Sequence, residues 1–461
     1  MALEVQQVYR YSRPSSVGSA QGRTEVLLAT SGGSTPDGAV EHPQFFDGFL
    51  EHPEQSATGL LAVAAVARTR FYLPPGMVQA VLRAADPVVT SNGDRLRFES
   101  FSACCGVYAR LDVLPDGLDR APLGTGTTNV DVNPPLRAAL AKVAGTDPVH
   151  LRVGEDVTVT TLDETVVERK VELPHRWVKG FAEVQQACAG LSQQAEVSGQ
   201  EARRFVESVS SARGGRSAAT WAVPAGRGLR LTGRPGPGAV PVPGPDRLRV
   251  LRPLLRHATS LRAYAQADPS GAGPGACAWE VELRAGRAVV VLSPEPSRGF
   301  SGEGGLLYDL SDETAAEDAR LLAALLSFEP RLDLERLARD AGLPDRRVRR
   351  ALAHLGAAGR VGFDLHDGAY FHRELPFDPT AFEAMNPRLR DARQLVAEGA
   401  VRMDGGSAFV RSGGSDQVVR RDDEGDHCTC AWWGRHRGGR GPCKHVLAVH
   451  IVRAGLSDTV G

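Results

Sequence analysis

The sequence predicts an α+β protein divided among several domains, and three observations lead to that class. At 461 residues the chain exceeds what one hydrophobic core holds, since single cores stop growing near about 250–300 residues. Helix-period and strand-period stretches are mixed through its first half. Composition then changes twice: residues 214–310 are rich in Gly and Pro, and the C-terminal stretch gathers Cys, His, Gly and Arg. The expected division is a mixed α+β domain over 1–213 and a Gly/Pro-rich β region over 214–310. A domain of helices and a hairpin follows over 311–376, and a linker helix with a ββα metal-binding unit over 377–461.

In the first part, Glu25–Ala29 predicts a short strand and Phe45–Ala67 a helical pattern broken at His52-Pro53. Met77–Ala84 predicts a second helix after Pro74-Pro75, and Arg95–Val113 one long or two short strands. Asn129–Asn133 is a strand edge that leads through Pro134-Pro135 into a helix over Leu136–Val143, Pro being well tolerated at the first helical position. Strand-like alternation resumes at His150–Val153, Val157–Leu162 and Thr165–Val171, and a helical region over His175–Ser208 closes the unit. Gly124-Thr125-Gly126-Thr127-Thr128 has the glycines and hydroxyls of an anion cradle but lacks the Lys-Ser/Thr of a phosphate loop, so an exposed turn is expected. The cluster Arg169, Lys170, Arg176, Trp177 and Lys179 is expected as a solvated face.

A hydrophobic content of 42% and a net charge of −1 give no global pull toward nucleic acid or membrane, so any basic surface must be local. Met1-Ala2-Leu3-Glu4-Val5-Gln6 predicts neither signal peptide nor anchor, and the longest apolar run, Leu60–Ala67, is far short of a membrane span. Seven cysteines, an odd number in a large chain, argue against a disulfide framework and for a reducing cytoplasm. Adjacent Cys104 and Cys105 are expected as buried structural thiols; Cys188 and Cys277 lack a basic partner and are expected inert. No nucleophile elbow or carboxylate dyad stands out, and no enzyme activity or small-molecule substrate is expected. A cleft gathering Cys105, His150 and Asp131 would reverse that expectation.

Short strands are predicted at Ala219–Val223, Leu229–Thr232, Trp279–Leu283 and Ala288–Leu292. Gly233–Pro245 cannot propagate a helix or a central strand and predicts a loop or linker, and Asp268–Ala276 a mobile stretch.

Residues 312–375 predict three helices and a hairpin. Leu321, Leu322, Leu325, Leu326 and Phe328 form one apolar set, and Leu334, Leu337, Ala338 and Ala341 the next. Gly342-Leu343-Pro344 makes the turn, Asp345 is the expected N-cap, and the third helix buries Val348, Leu352 and Leu355. Arg360-Val361-Gly362-Phe363-Asp364-Leu365 and Ala369-Tyr370-Phe371-His372 flank a His366-Asp367-Gly368 turn. This order resembles a winged helix. The resemblance implies a third helix in a DNA major groove, with Arg346, Arg349 and Arg350 on phosphates beside Arg347. Glu313, Glu317, Asp318, Asp333, Glu335 and Asp340 offset the positive charge, and a packing or partner-binding module is the alternative. A basic amphipathic helix over Asn386–Val396 is expected to pack the C-terminal unit onto these helices.

Cys428, Cys430, Cys443 and His445 carry the clearest chemistry. Three thiols and an imidazole complete the tetrahedral set of structural zinc. Cys428 and Cys430, two apart on an extended segment, turn to one face. The loop that follows contains Gly434, Gly438, Gly439 and Gly441, which let the chain return, and Cys443 and His445 repeat the spacing at the head of an apolar run ending at Arg453. His427, His436 and His450 compete; His445 is preferred because its relation to Cys443 mirrors the first pair.

Cys-x-Cys, a loop, then Cys-x-His running into an apolar helix resembles the SWIM zinc finger over residues 401–455. Ala408-Phe409-Val410-Arg411 and Gln417-Val418-Val419-Arg420 would form the preceding hairpin. The resemblance implies a ββα module with one structural Zn2+ that binds nucleic acid or protein and does not imply catalysis. Arg435, His436, Arg437, Arg440 and Lys444 form a dense basic loop beside Trp432 and Trp433, a combination suited to phosphate contact and base stacking. Tryptophans packed over the zinc knuckle are the alternative. Bacterial SWIM proteins that this one resembles are suspected to act beside MoxR-type AAA ATPases and von Willebrand A proteins, so a scaffold with purely protein contacts is the second expectation.

Overall fold

The structure is a computed structural model that describes residues 14–20, 23–71, 86–145, 147–154, 173, 175–211, 220–266, 275–295, 298–300, 304–375, 386–422 and 425–458. The helix expected over Met77–Ala84, the strands expected over Val157–Leu162 and Thr165–Val171, Arg169, Lys170 and most of Asp268–Ala276 lie outside the described residues.

In chain order the first elements are β1 (Ser16–Ala20), β2 (Arg23–Leu28), β3 (Gly33–Thr35), β4 (Gly38–Val40), β5 (Phe46–Phe49), α1 (Pro53–Arg68), β6 (Val88–Ser91), β7 (Leu96–Phe101), β8 (Val107–Val113) and β9 (Gly126–Asn129). Next come α2 (Pro134–Leu140), β10 (Val149–Val153), α3 (His175–Ala189), β11 (Ser192–Ser198) and α4 (Gly199–Ser211). Then follow β12 (Trp221–Ala225), β13 (Gly228–Thr232), β14 (Val240–Pro241), a 3-10 helix (Pro245–Arg256), β15 (Ser260–Ala265), β16 (Cys277–Leu283) and β17 (Gly286–Leu292).

A ten-stranded sheet in the order β11-β15-β16-β17-β8-β7-β6-β9-β3-β4 forms the centre. Its two halves meet where β8 runs antiparallel to β17, Leu111 opposite Ala288, so the sheet crosses the boundary expected at residue 213 without a break. Successive residues of a strand point to opposite faces, and here the two faces differ in kind. Leu96, Phe98, Leu111, Trp279, Val281 and Val290 join α1, α4 and the 3-10 helix in one apolar core. Each such large side chain contributes about 1.5–3 kcal/mol by leaving water. The intervening positions carry Arg97, Glu99, Arg110, Asp112, Glu280 and Arg287, all buried.

The helical region expected over 175–208 is two helices with a strand between them. Ser192-Gln193-Gln194-Ala195-Glu196-Val197-Ser198 has little strand periodicity of its own, and antiparallel pairing with β15 makes it the sheet's edge. Gly233–Pro245, expected as a loop or linker, contributes the short edge strand of a separate three-stranded sheet, β13-β12-β14. Val240 and Pro241 pair with β12, and the buried Arg247 guanidinium donates to the carbonyls of Pro243, Gly106 (2.8 Å) and Ser293 (2.8 Å). Gly124–Thr128 leads into β9, where Thr127 and Thr128 are fully buried. Trp177 is also buried, in the cluster beneath α3.

The C-terminal elements are α5 (Glu313–Ala323), α6 (Leu334–Ala341), α7 (Asp345–Ala357), β18 (Val361–Asp364), β19 (Ala369–His372), α8 (Pro387–Ala397), β20 (Val401–Asp404), β21 (Ser407–Ser412), β22 (Ser415–Asp422), β23 (Gly425–Cys428), α9 (Ala431–His436) and α10 (Lys444–Asp458). Asp333 caps α6 by accepting from the Arg336 amide at 3.0 Å. Asp345 is the first residue of α7 and not its cap; Pro344 holds that position without a side-chain bond. Helix α7 packs on two sides. Val348, Ala351, Leu352 and Leu355 enter the core shared with α5 and α6, while Ala353 and Ala357 enter the cluster containing α3. The β18–β19 hairpin covers the ionic face of the large sheet, with Phe371 fully buried and the Arg97 guanidinium 4.1 Å from its ring centroid.

The final module is a four-stranded antiparallel meander, β20-β21-β22-β23, followed by α9 and α10, where a two-stranded hairpin was expected. Helix α8 buries Leu389, Ala392 and Leu395 against it, and its core residues Val410, Val419, Val446 and Leu447 belong to the cluster that holds Phe101, Trp177 and Phe181. The module is therefore continuous with the rest of the interior. Among the described residues no helix is long and apolar enough to cross a membrane.

Candidate metal centre and the surface around it

β23 delivers Cys428 in extended conformation, and two residues later Cys430 caps α9, its sulfur accepting from the Trp433 amide at 3.4 Å. The return from α9 needs left-handed backbone at Arg437 (φ 42°), Gly438 (φ 77°) and Gly441 (φ 73°). At Gly441 the requirement is doubled, because a Cβ there would also strike the Gly304 carbonyl. Cys443 then heads α10, its sulfur accepting from the Val446 amide at 3.5 Å, and His445 follows within the first turn.

The four side chains present one donor atom each, all within 4.8 Å of one another and all buried. His445 Nδ1 lies 3.7 Å from Cys428 Sγ and 3.9 Å from Cys443 Sγ. Tetrahedral zinc with Zn–S about 2.3 Å and Zn–N about 2.0–2.1 Å separates neighbouring donors by roughly 3.5–3.8 Å. The cluster therefore fits one structural zinc ion. A hydrogen bond with Cys428, helped by His445 and opposed by burial, lowers the Cys443 thiol to about 4, and the same contact pushes Cys428 up. Metal binding would displace the thiol protons. The competing imidazoles lie elsewhere: His427 pairs with Asp422 at 3.1 Å, His450 Nδ1 bonds the Ser311 hydroxyl at 2.9 Å, and His436 packs on Trp432.

Of the expected contact residues, Arg435 on α9 and Arg437 after it are exposed, and Lys444 at the head of α10 is half-buried. Trp432 and Trp433 are half-buried against the knuckle. Two guanidiniums lie over Trp432, that of Arg388 4.7 Å from its ring centroid and that of Arg440 at 5.4 Å; Trp433 meets His427 at 5.6 Å. Arg388 also donates to the carbonyls of Arg440 (2.6 Å) and Pro442 (2.9 Å), so it braces the loop from α8. Local sequence showed only that α8 is basic at this point. Arg346 and Arg349 are exposed at the start of α7, whereas Arg347 pairs with Asp318 at 2.6 Å and Arg350 with Asp312 at 3.3 Å.

Beside the cluster opens a cleft of about 860 Å³ lined by Tyr308, Arg421, Asp426, His427, Trp433, Arg437 and His450 with Gly425, Gly434 and Gly438. Tyr308 comes from a segment more than a hundred residues before the next lining residue, Arg421, which is why local sequence did not show this wall. Of the residues whose gathering in a cleft would have pointed to an enzyme, His150 pairs with Asp47 at 3.0 Å, Asp131 accepts from Asn133 at 2.9 Å, and Cys105 is buried in an apolar cluster. Burial pushes the Cys188 and Cys277 thiols up to about 12.

Residues 410–453 match the family model of the SWIM zinc finger. No curated protein matches the chain. Among solved structures it is similar to the Proliferating Cellular Nuclear Antigen of Entamoeba histolytica, at 10% identity over 54% of this chain and 98% of that one, with a TM-score of 0.33. It is also similar to the PCNA2-PCNA3 complex of Sulfolobus tokodaii, at 7% identity over 54% of this chain and 100% of that one, again with a TM-score of 0.33. Both scores are below those of a shared fold.

Proposed function

We propose that this chain, which carries a SWIM zinc finger over residues 410–453, is a non-catalytic adaptor whose finger presents a cationic loop to nucleic acid. One observation carries the reading: the segment that links the two ligand pairs of a closed donor set exposes Arg435 and Arg437. Cys428, Cys430, Cys443 and His445 fill every position of tetrahedral zinc, which leaves none for an activated water. When bound, the ion ties β23 to the head of α10. Arg435 on α9, Arg437 just after it and Lys444 at the head of α10 would neutralise phosphates, and the half-buried tryptophans stiffen the segment. Arg346 and Arg349, at the open first turn of α7, add a second cationic patch.

A protein partner is the second reading, favoured by the ion pairs that hold Arg347 and Arg350 to their own module and by the packing of α7 on two sides. Such a helix suits a scaffold, including one beside an AAA ATPase, better than a groove reader. The deciding experiment is a salt titration of the zinc-loaded chain on duplex and single-stranded DNA, repeated with Arg435→Glu/Arg437→Glu. The nucleic-acid reading expects affinity to fall steeply with salt and at least tenfold on charge reversal. No binding at low salt overturns it in favour of the protein reading, whose own test is co-purification of an ATPase at high salt.

A further inference from the structure

The cleft beside the metal cluster combines features that the adaptor reading leaves unused. Two aromatic pairs line it: Tyr308 meets His450 edge-on at 5.4 Å, and Trp433 meets His427 at 5.6 Å. Two guanidiniums, Arg421 on β22 and Arg437 after α9, also line it, and among the described residues neither has an ion-pair partner. The carboxylates near them are engaged: Asp426 with Arg453 at 2.9 Å, Asp422 with His427 at 3.1 Å. Glycines at 425, 434 and 438 keep the wall low and bring backbone to the surface.

Arg437 supplies an independent sign. It closes α9 with φ 42°, a left-handed C-cap that strongly favours glycine, and α6 ends on Gly342 in that same conformation. Strained backbone of this kind persists where the surrounding structure enforces it and concentrates at ligand sites. Here the strained residue is one that lines the cleft.

We infer that the cleft binds a nucleoside phosphate unit, the phosphate between Arg421 and Arg437 and the base against the Trp433 and Tyr308 rings. The cleft volume lies within the usual range for small-ligand sites, about 300–1,000 Å³. Planar cationic forks suit phosphate oxygens, and ring faces accept any base. The unit can be a free nucleotide or one residue of a single strand; both present the same chemistry. This deepens the adaptor reading by naming what the finger's flank would grip.

The test uses the full zinc-loaded chain with adenosine, 5′-AMP, inorganic phosphate and a short single-stranded oligodeoxyadenylate, measured by calorimetry and fluorescence anisotropy. AMP is expected to bind and adenosine and phosphate to bind at least tenfold more weakly; tighter binding of the oligomer assigns the unit to a strand, and equal binding to a free nucleotide. Arg421→Ala and Arg437→Gly should each weaken AMP binding at least fivefold. Arg437→Gly relieves the backbone and is expected to keep or raise the melting temperature, and metal content should stay at one zinc per chain, so a lost fold cannot mimic a lost ligand. Affinity within twofold of the unmodified chain in both variants, or no binding of either AMP or oligomer, overturns the inference. Salt-sensitive DNA binding that Arg421→Ala leaves intact would sink the cleft and spare the adaptor reading.

Discussion

Replacing Asp364 by alanine should release the β18–β19 hairpin from the central sheet. The carboxylate lies 2.7 Å from Arg97, 3.2 Å from Arg110 and 3.3 Å from Arg287, and it accepts the His366 amide at 3.1 Å. Burial by itself would raise its pKa, but Arg110, Arg97 and Arg287 outweigh that and hold it well below the usual carboxylate range. Without it, three buried guanidiniums face Asp112 as the remaining buried carboxylate, with Asp367 at the rim. Stranding buried charge in this way costs about 3–5 kcal/mol, a large part of the roughly 5–15 kcal/mol that holds a domain folded. In Arg97→Met/Asp364→Leu, by contrast, Arg110 and Arg287 balance Asp112 and Asp367, and about 2 kcal/mol or less should be lost. Urea unfolding combined with hydrogen exchange of residues 361–372 measures both. A loss below about 1 kcal/mol in Asp364→Ala, or a double variant no better than the single, would refute the ionic account of docking.

The same carboxylate sets an acid limit. Because its folded pKa is depressed, its contribution is complete above the unfolded value near about 3.9 and lost as pH falls through the lower folded value; His366 in the same hairpin, raised by its bond to Glu280, adds stability as it protonates, so docking should hold or strengthen from neutral to about pH 5, and a loss already at pH 6 would contradict this. Metal removal should act locally: a strong chelator, or Cys428→Ser, is expected to take zinc from one per chain to none and expose residues 401–458 to protease while the central sheet stays protected, a pattern read by mass spectrometry of the fragments. Unchanged protection would mean that the shared apolar cluster alone holds the finger. Gly441→Ala combines φ 73° with a clash against the Gly304 carbonyl and should cost about 1–3 kcal/mol, seen as faster zinc loss to chelator; an unchanged rate would show that the loop relaxes freely.

How far the sequence could be read depended on how local each signal was. The metal ligands were legible because i+2 spacing and an intervening glycine loop are themselves the geometry of the site. Helix α6 was legible because Leu334, Leu337, Ala338 and Ala341 repeat with the period of a helix face, whereas of the apolar set expected before it Leu325, Leu326 and Phe328 lie past the end of α5 and Leu321 is exposed. β11 was hidden in a helical stretch because its strand character comes from pairing with β15, more than sixty residues further on. The tryptophans of the finger suggested an exposed stacking platform, but Trp432 is covered by Arg388 from a different helix.

By itself, then, the sequence determined the elements whose stabilising partners lie within a turn or a hairpin: the zinc donor set, the amphipathic helices and the short strands. Tertiary structure alone decided that one sheet joins residues on both sides of position 213, that Arg97 and Asp364, 267 residues apart, meet in the dry face of that sheet, and that Tyr308 walls a cleft beside the finger. The physical reason is that burial and charge pairing are properties of distant surfaces brought together. A buried arginine and a solvated one are the same letter until the chain has folded.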